Sequence, residues 1–184
     1  MNYYELMIIG TGGKGVLLIG RLLAEAGIQQ FEHTLFFPNY APAMRGGESE
    51  CTIVLSNDSI NSPAKFEPLA VIAMTSSALM SIENRIKPEG IIILDSTVIP
   101  EKIKRNDLST FYIPASQKAL ELGGHQAANM VLLGAYLEYS NAIPLDMVEK
   151  ALDNKLQEES KNSILSLNKR ALNEGANLIA NYKG

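Results

Sequence analysis

Two short runs hold the residues whose types and spacing suit chemistry. GTGGKG occupies residues 10–15, directly after an apolar stretch, and AMRGGESE occupies residues 43–50. Gly10, Gly12 and Gly15 match G-x-G-x-x-G, with Gly13 and Lys14 between them. Glycines at this spacing permit a tight turn, close approach of backbone to an anion, and close packing of a helix on a strand. A helix starting here would present free N–H groups and the positive end of its dipole, and Lys14 adds a cation. Contact with a phosphate-bearing ligand is one reading, and glycines that only pack the first helix are the other. In the second run, Arg45 stands before Gly46 and Gly47. An arginine fork on unusual backbone suits a carboxylate or phosphate, while a plain flexible turn before a strand fits the same residues.

A nicotinamide or flavin dinucleotide asks for more. An Asp or Glu should end the second strand, about 20 residues on, to hold a ribose. Here that strand reads LFFPN over residues 35–39, and Glu32 precedes it. No acid stands where the ribose reader belongs.

Other candidates read more blandly. Cys51 lies inside a strand pattern, as a small buried hydrophobe does. Asp95 ends a hydrophobic strand, where a site residue or a turn cap both fit. His125 follows two glycines near a helix start and suits a capping or solvent-facing role. Asn129 is polar amid apolar helical neighbours, which suits a hydrogen bond to a loop. Residues 155–161 read as a solvated charged face. No Ser/His/Asp set and no suggestively spaced carboxylate pair is present, so no catalytic residue is assigned.

The elements that must position these groups follow from periodicity. Residues 4–9, 69–74 and 90–95 are apolar runs of strand length, and residues 33–37, 50–56 and 110–113 are further strands. Helical spacing marks residues 14–26, 77–86, 114–122, 126–140, 145–154 and 160–182. Residues 39–47 form a loop. The turn at 57–58, with a short return strand over 60–63, predicts a small hairpin inserted in the chain. Alternating strands and helices predict an α/β, Rossmann-like, mainly parallel sheet with helices on both faces and a helical C-terminal part. Without repeats or linkers, residues 1–184 are expected to form a single domain.

Totals exclude several classes. With a net charge of −4, general binding to nucleic acid or an anionic membrane is not expected. No apolar run reaches the roughly 18 residues of a membrane span. No basic segment precedes the first apolar stretch, so a signal peptide is not expected and a cytoplasmic setting is the simplest reading. The one cysteine cannot hold an iron–sulfur cluster, which takes about four. His33 and His125 lie far apart, and no metal site is expected.

Taken in series, GTGGKGV at 10–16, NYAPAMRGGESECTIVLS at 39–56, NSP at 61–63, IPASQKALELG at 113–123 and ANMVLLGA at 128–135 resemble the gamma subunit, or gamma domain, of 2-oxoacid:ferredoxin oxidoreductases. The likeness is greatest to the 2-oxoglutarate and 2-oxoisovalerate branch, with the pyruvate and indolepyruvate branches still open. The family usually has Gln where Lys14 stands, and often Gly and Glu where Ala41 and Ala43 stand. Arg45-Gly46-Gly47 is kept.

The resemblance implies a non-catalytic subunit of an enzyme that oxidatively decarboxylates a 2-oxoacid, 2-oxoglutarate favoured, to its acyl-coenzyme A. Partners would be alpha and beta subunits, with or without delta, and ferredoxin through the complex. Thiamine diphosphate and iron–sulfur clusters would sit in those partners. That division agrees with the single cysteine and with the lack of a Gly-Asp-Gly run of the thiamine diphosphate type. The glycine turn and Arg45 would then offer phosphate contacts to coenzyme A. An isolated subunit would be inactive and, exposing an apolar patch, prone to self-association. A stand-alone dinucleotide-binding protein and a non-enzymatic ligand-sensing or scaffold protein are the competing classes.

Overall fold

A computed structural model describes residues 3–40, 47–60, 67–157 and 162–182. Its strands are β1 (Tyr3–Thr11), β2 (His33–Tyr40), β3 (Glu48–Ser56), β4 (Ala70–Ala73), β5 (Ile91–Asp95) and β6 (Ser109–Ile113). Its helices are α1 (Val16–Gly27), α2 (Ser76–Ile82), α3 (Ala115–Glu121), α4 (Ala128–Ser140), α5 (Leu145–Gln157) and α6 (Asn162–Tyr182). Short 3₁₀ turns follow α2 (Glu83–Arg85) and precede α4 (His125–Ala127).

Among the described residues the six strands form one sheet in the order β2-β3-β1-β4-β5-β6. Pairing from β1 through β4 and β5 to β6 is parallel. β3 runs antiparallel to both β1 and β2, so five strands share one direction and β3 opposes them.

The apolar runs are continuous because both faces of the central strands are covered. Leu6, Ile8, Ile72 and Ile93 face one core with α1, α4, α5 and α6. Met7, Ile9, Val71, Ile92 and Leu94 face another, roofed by Ala78, Leu79 and Ile82 of α2 together with Ile86 and Ile99. Helices therefore lie on both faces, unequally. α4 is buried continuously from Asn129 to Leu137, which is why its sequence is apolar all round. It crosses α6 at Gly134 and Gly175, where backbone meets backbone. A Cβ on Gly134 would overlap the Leu172 carbonyl, and one on Gly175 the Val131 carbonyl.

An antiparallel pair that the sequence pattern does not mark joins β2 to β3. β3 pairs with β2 across the 41–47 connection, and residues 57–60 form no strand. Residues 61–63 lie outside the described residues. β2 also runs on to Tyr40, through Pro38, instead of closing at residue 37. As an edge strand it tolerates a residue without an N–H.

Candidate functional site

The chain leaves β1 toward β2 and β3 on one side, then returns to β4, β5 and β6 on the other. The order therefore reverses between β1 and β4. In open α/β sheets the crevice at such a reversal, beyond the carboxyl ends of the strands, is where ligands bind. The glycine turn lies there, between the end of β1 at Thr11 and the start of α1 at Val16.

Gly12 N–H donates to the Gly47 carbonyl (3.2 Å) and Lys14 N–H to the Thr11 carbonyl (3.2 Å). The exit of the Arg-Gly-Gly run is thus tied to the turn at Gly47, as loop placement suggests. Arg45 and Gly46 lie outside the described residues. Gly15 is left-handed at φ 77° and caps α1 through its carbonyl, which accepts from the N–H groups of Leu18 (3.1 Å) and Ile19 (3.2 Å).

The packing role holds for two of the glycines. A Cβ on Gly10 would lie 3.0 Å from Met74 Cβ, and one on Gly15 would overlap the Asn129 amide. Gly13, with positive φ, faces open space. Among the described residues, the N–H groups of Gly13, Gly15 and Val16 have no acceptor, and Lys14 has no partner and is exposed.

Behind the turn is a cavity of about 90 Å³ that no single motif announces. Gly13 and Lys14 line it with Met74 after β4, Asp95 at the end of β5, Ser116 in α3, His125 and Gln126 of the 3₁₀ turn, and Asn129 in α4. Asp95 is 3% exposed. Its carboxylate accepts from Thr97 N–H (3.1 Å), Ser116 N–H (3.2 Å) and the Ser116 hydroxyl. It therefore caps the turn after β5, and it also lines the cavity. Asn129 does bond a loop, its amide nitrogen reaching the Gly15 carbonyl at 3.5 Å. His125 is exposed at the rim. Ser116 carried no signal in the sequence, because a serine near a helix start is commonplace.

Cys51 is fully buried under α1, its Sγ 3.5 Å from the Val16 carbonyl to which it donates. Burial, reinforced by Glu50, pushes its thiol up to about 12. It is a core residue, without the thiolate that nucleophilic chemistry needs. The dinucleotide arrangement is not built either. β3 separates β2 from β1, and at the far end of β2 Asn39 donates to Glu50 (2.8 Å). Among the described residues no three His, Cys, Asp or Glu side chains gather as a metal-ligand set. No helix among them is long and apolar enough to cross a membrane.

Fold and site together define a Rossmann-like α/β protein with a glycine turn at the sheet's reversal point. Residues 5–178 match the pyruvate ferredoxin/flavodoxin oxidoreductase family, and the chain belongs to that family. It is 30% identical over 159 residues to the 2-oxoglutarate synthase subunit KorC of Methanothermobacter marburgensis, covering 83% of this chain and 86% of KorC. It is 32% identical over 170 residues to the ketoisovalerate oxidoreductase subunit VorA of Methanothermobacter thermautotrophicus. That match covers 92% of this chain but only 35% of VorA, so the chain spans about a third of that relative's length.

Solved structures share the fold. The gamma subunit of a keto/oxoacid ferredoxin oxidoreductase from Geobacter sulfurreducens superposes with a TM-score of 0.81 at 24% identity, over 96% of this chain and 98% of that one. A 2-oxoglutarate:ferredoxin oxidoreductase from Magnetococcus marinus, solved with 2-oxoglutarate, coenzyme A and succinyl-CoA bound, gives 0.86 at 23% identity, over 97% of this chain and 31% of that one.

Proposed function

We propose that residues 1–184 act as one unit, the gamma subunit of a multisubunit 2-oxoacid:ferredoxin oxidoreductase in the cytoplasm. The assembly oxidises a 2-oxoacid, 2-oxoglutarate first, with coenzyme A to the acyl-coenzyme A and carbon dioxide, and two electrons pass to ferredoxin. The observation that carries this reading is the KorC match, which spans most of both chains. It pairs one subunit with one subunit, where the VorA match pairs this chain with part of a longer one.

Alpha and beta subunits, with or without delta, supply thiamine diphosphate and the iron–sulfur clusters, and those groups carry decarboxylation and electron transfer. This chain does not suit them. Its one cysteine is buried in the core, and a cluster takes about four.

What this chain does fit is a phosphate. The N–H groups of Gly13, Gly15 and Val16, without an acceptor among the described residues, and the exposed Lys14 lie at the start of a 12-residue helix, whose dipole favours an anion there. Gly10 and Gly12 shape the turn. The run Arg45-Gly46-Gly47, tied to it through Gly47, supplies a guanidinium fork. We assign these residues to the phosphates of coenzyme A, a docking role with no bond making or breaking.

The test is to co-express the chain with its native neighbours and follow 2-oxoacid- and coenzyme A-dependent reduction of a low-potential dye. Activity should require this chain, and 2-oxoglutarate should be the preferred acid. A complex that works equally well without the chain refutes the subunit reading. In the active complex, Lys14→Ala with Arg45→Ala should raise the KM for coenzyme A by about tenfold or more, since one charged hydrogen bond contributes about 1.5–3 kcal/mol. An unchanged KM removes the phosphate role alone.

A further inference from the structure

We infer that a tyrosine-lined cavity at the amino ends of the strands, at the end of β1 away from the glycine turn, docks an extended segment of a partner subunit and takes a lysine or arginine side chain from it. The inference rests on the reading of this chain as a subunit.

The main chain leaves a gap there. β1 begins at Tyr3, but its pairing with β4 begins only at Leu6 opposite Ala70, and β5 starts level with them at Ile91. The residues before β4 turn toward β5, where the carbonyls of Pro68 and Leu69 accept from Lys87 N–H (3.1 Å) and Ile91 N–H (2.9 Å). Among the described residues, Tyr3–Glu5 therefore have a strand beside them on the β3 side alone. Backbone left open in this way can take a further strand from another chain. A small amine has no main chain to offer it, which favours a protein segment as the occupant.

The side chains around the gap suit a cation. The cavity measures about 300 Å³, and Tyr3, Tyr4, Tyr136 and Tyr139 line it together with Glu5 and Glu89. None of the residues that line it is basic. Tyrosine rings attract a cation, more strongly where water is partly excluded. Glu5 is buried, and one of its oxygens accepts from Lys87 Nζ (3.2 Å) and the Tyr3 hydroxyl (3.3 Å). Its other oxygen has no donor among the described residues. Glu89 is exposed, and its carboxylate has neither a hydrogen bond nor an ion pair among the described residues.

Glu89 also sits on strained backbone. Gly90 N–H closes a turn onto the Lys87 carbonyl (3.0 Å), and Glu89, the third residue of that turn, has φ 63°. Glycine or asparagine is usual at such a position. The other left-handed non-glycine residue among those described is Asn141, a type that adopts this conformation readily. Folding alone would be served better by glycine at residue 89. A side chain kept against its backbone preference points to a use for that side chain, which here sets a carboxylate at the cavity.

The test measures how tightly the full chain joins the complex of its native neighbours prepared without it, by biolayer interferometry, alongside the Tm of the chain alone. Glu89→Gly should weaken association about tenfold, as for the loss of one charge-assisted hydrogen bond. Its Tm should be unchanged or higher, because glycine relieves the turn. Glu89→Lys should weaken association further, by placing like charges together. Added salt should weaken the unaltered chain more than Glu89→Gly. In the intact complex, a carbodiimide that joins carboxylates to amines separates the two side chains. A cross-link from Glu89 to a partner lysine identifies lysine, and a loss of affinity in the variants without that cross-link identifies arginine.

If both variants bind within about twofold of the unaltered chain, the docking site is overturned and the subunit reading stands. A loss of affinity matched by a loss of Tm in Glu89→Gly also overturns it, by assigning Glu89 to folding. If the unaltered chain does not join its neighbours at all, the subunit reading fails and the docking site falls with it.

Discussion

Replacing Gly15 by alanine tests how the turn is held against α4. The substitution meets two separate penalties. At φ 77° a residue with a Cβ lies in the left-handed region, at a cost of about 1–2 kcal/mol. The new methyl also overlaps the amide of Asn129, and forcing a methyl into a packed site costs about 1–3 kcal/mol. Together they should destabilise the chain by about 2–5 kcal/mol. For a domain of this size each kcal/mol lowers Tm by roughly 2–4 °C.

The two penalties separate in a double-mutant cycle. Asn129→Ala removes the overlapping group but not the backbone strain. In that background Gly15→Ala should cost only the first about 1–2 kcal/mol, leaving a coupling energy of about 1–3 kcal/mol. Urea unfolding of the four full-length chains, followed by circular dichroism, gives each term. A coupling below about 0.5 kcal/mol, within the additivity of independent sites, would refute the claim that Asn129 and Gly15 form one packed unit.

Two other consequences follow from the core. Gly134→Ala and Gly175→Ala each set a methyl against a backbone carbonyl, which no side-chain rotation can relieve, so each should cost about 3 kcal/mol or more, at the upper end of overpacking. The pair should cost less than the sum, because moving α4 off α6 once accommodates both, and strictly additive losses in urea unfolding would contradict that shared contact. Cys51 sets an alkaline limit. Its folded thiol is pushed up to about 12, whereas the unfolded thiol titrates near 8.5, so only the unfolded chain loses this proton between those values. Stability from this group is complete below about pH 8.5 and should fall by about 1.4 kcal/mol per pH unit above it. A Cys51→Ala chain with an equally steep decline between pH 9 and 10 would contradict the assignment.

Much of this was legible in local pattern. The apolar runs at 4–9, 69–74 and 90–95 became β1, β4 and β5, each within two residues at its ends, since strands covered on both faces show as unbroken apolar runs. Asn129 stood out as the polar residue in a helix otherwise buried on every side, and it does bond a loop. The pairing of β2 with β3 was not legible, because it spans a connection whose length says nothing about which strands meet.

The sequence by itself determined the elements, the glycine turn and the kinship, because periods of 2 and 3.6 residues and the conformational needs of a turn are written within about a dozen neighbouring positions. Only the tertiary structure decided that β3 would lie between β2 and β1, and that Asp95, Ser116 and Asn129 would close one cavity behind Lys14. Those residues come from three different elements, and their meeting depends on strand order and helix packing, which are set by long-range burial of whole faces and not by any local run of residues.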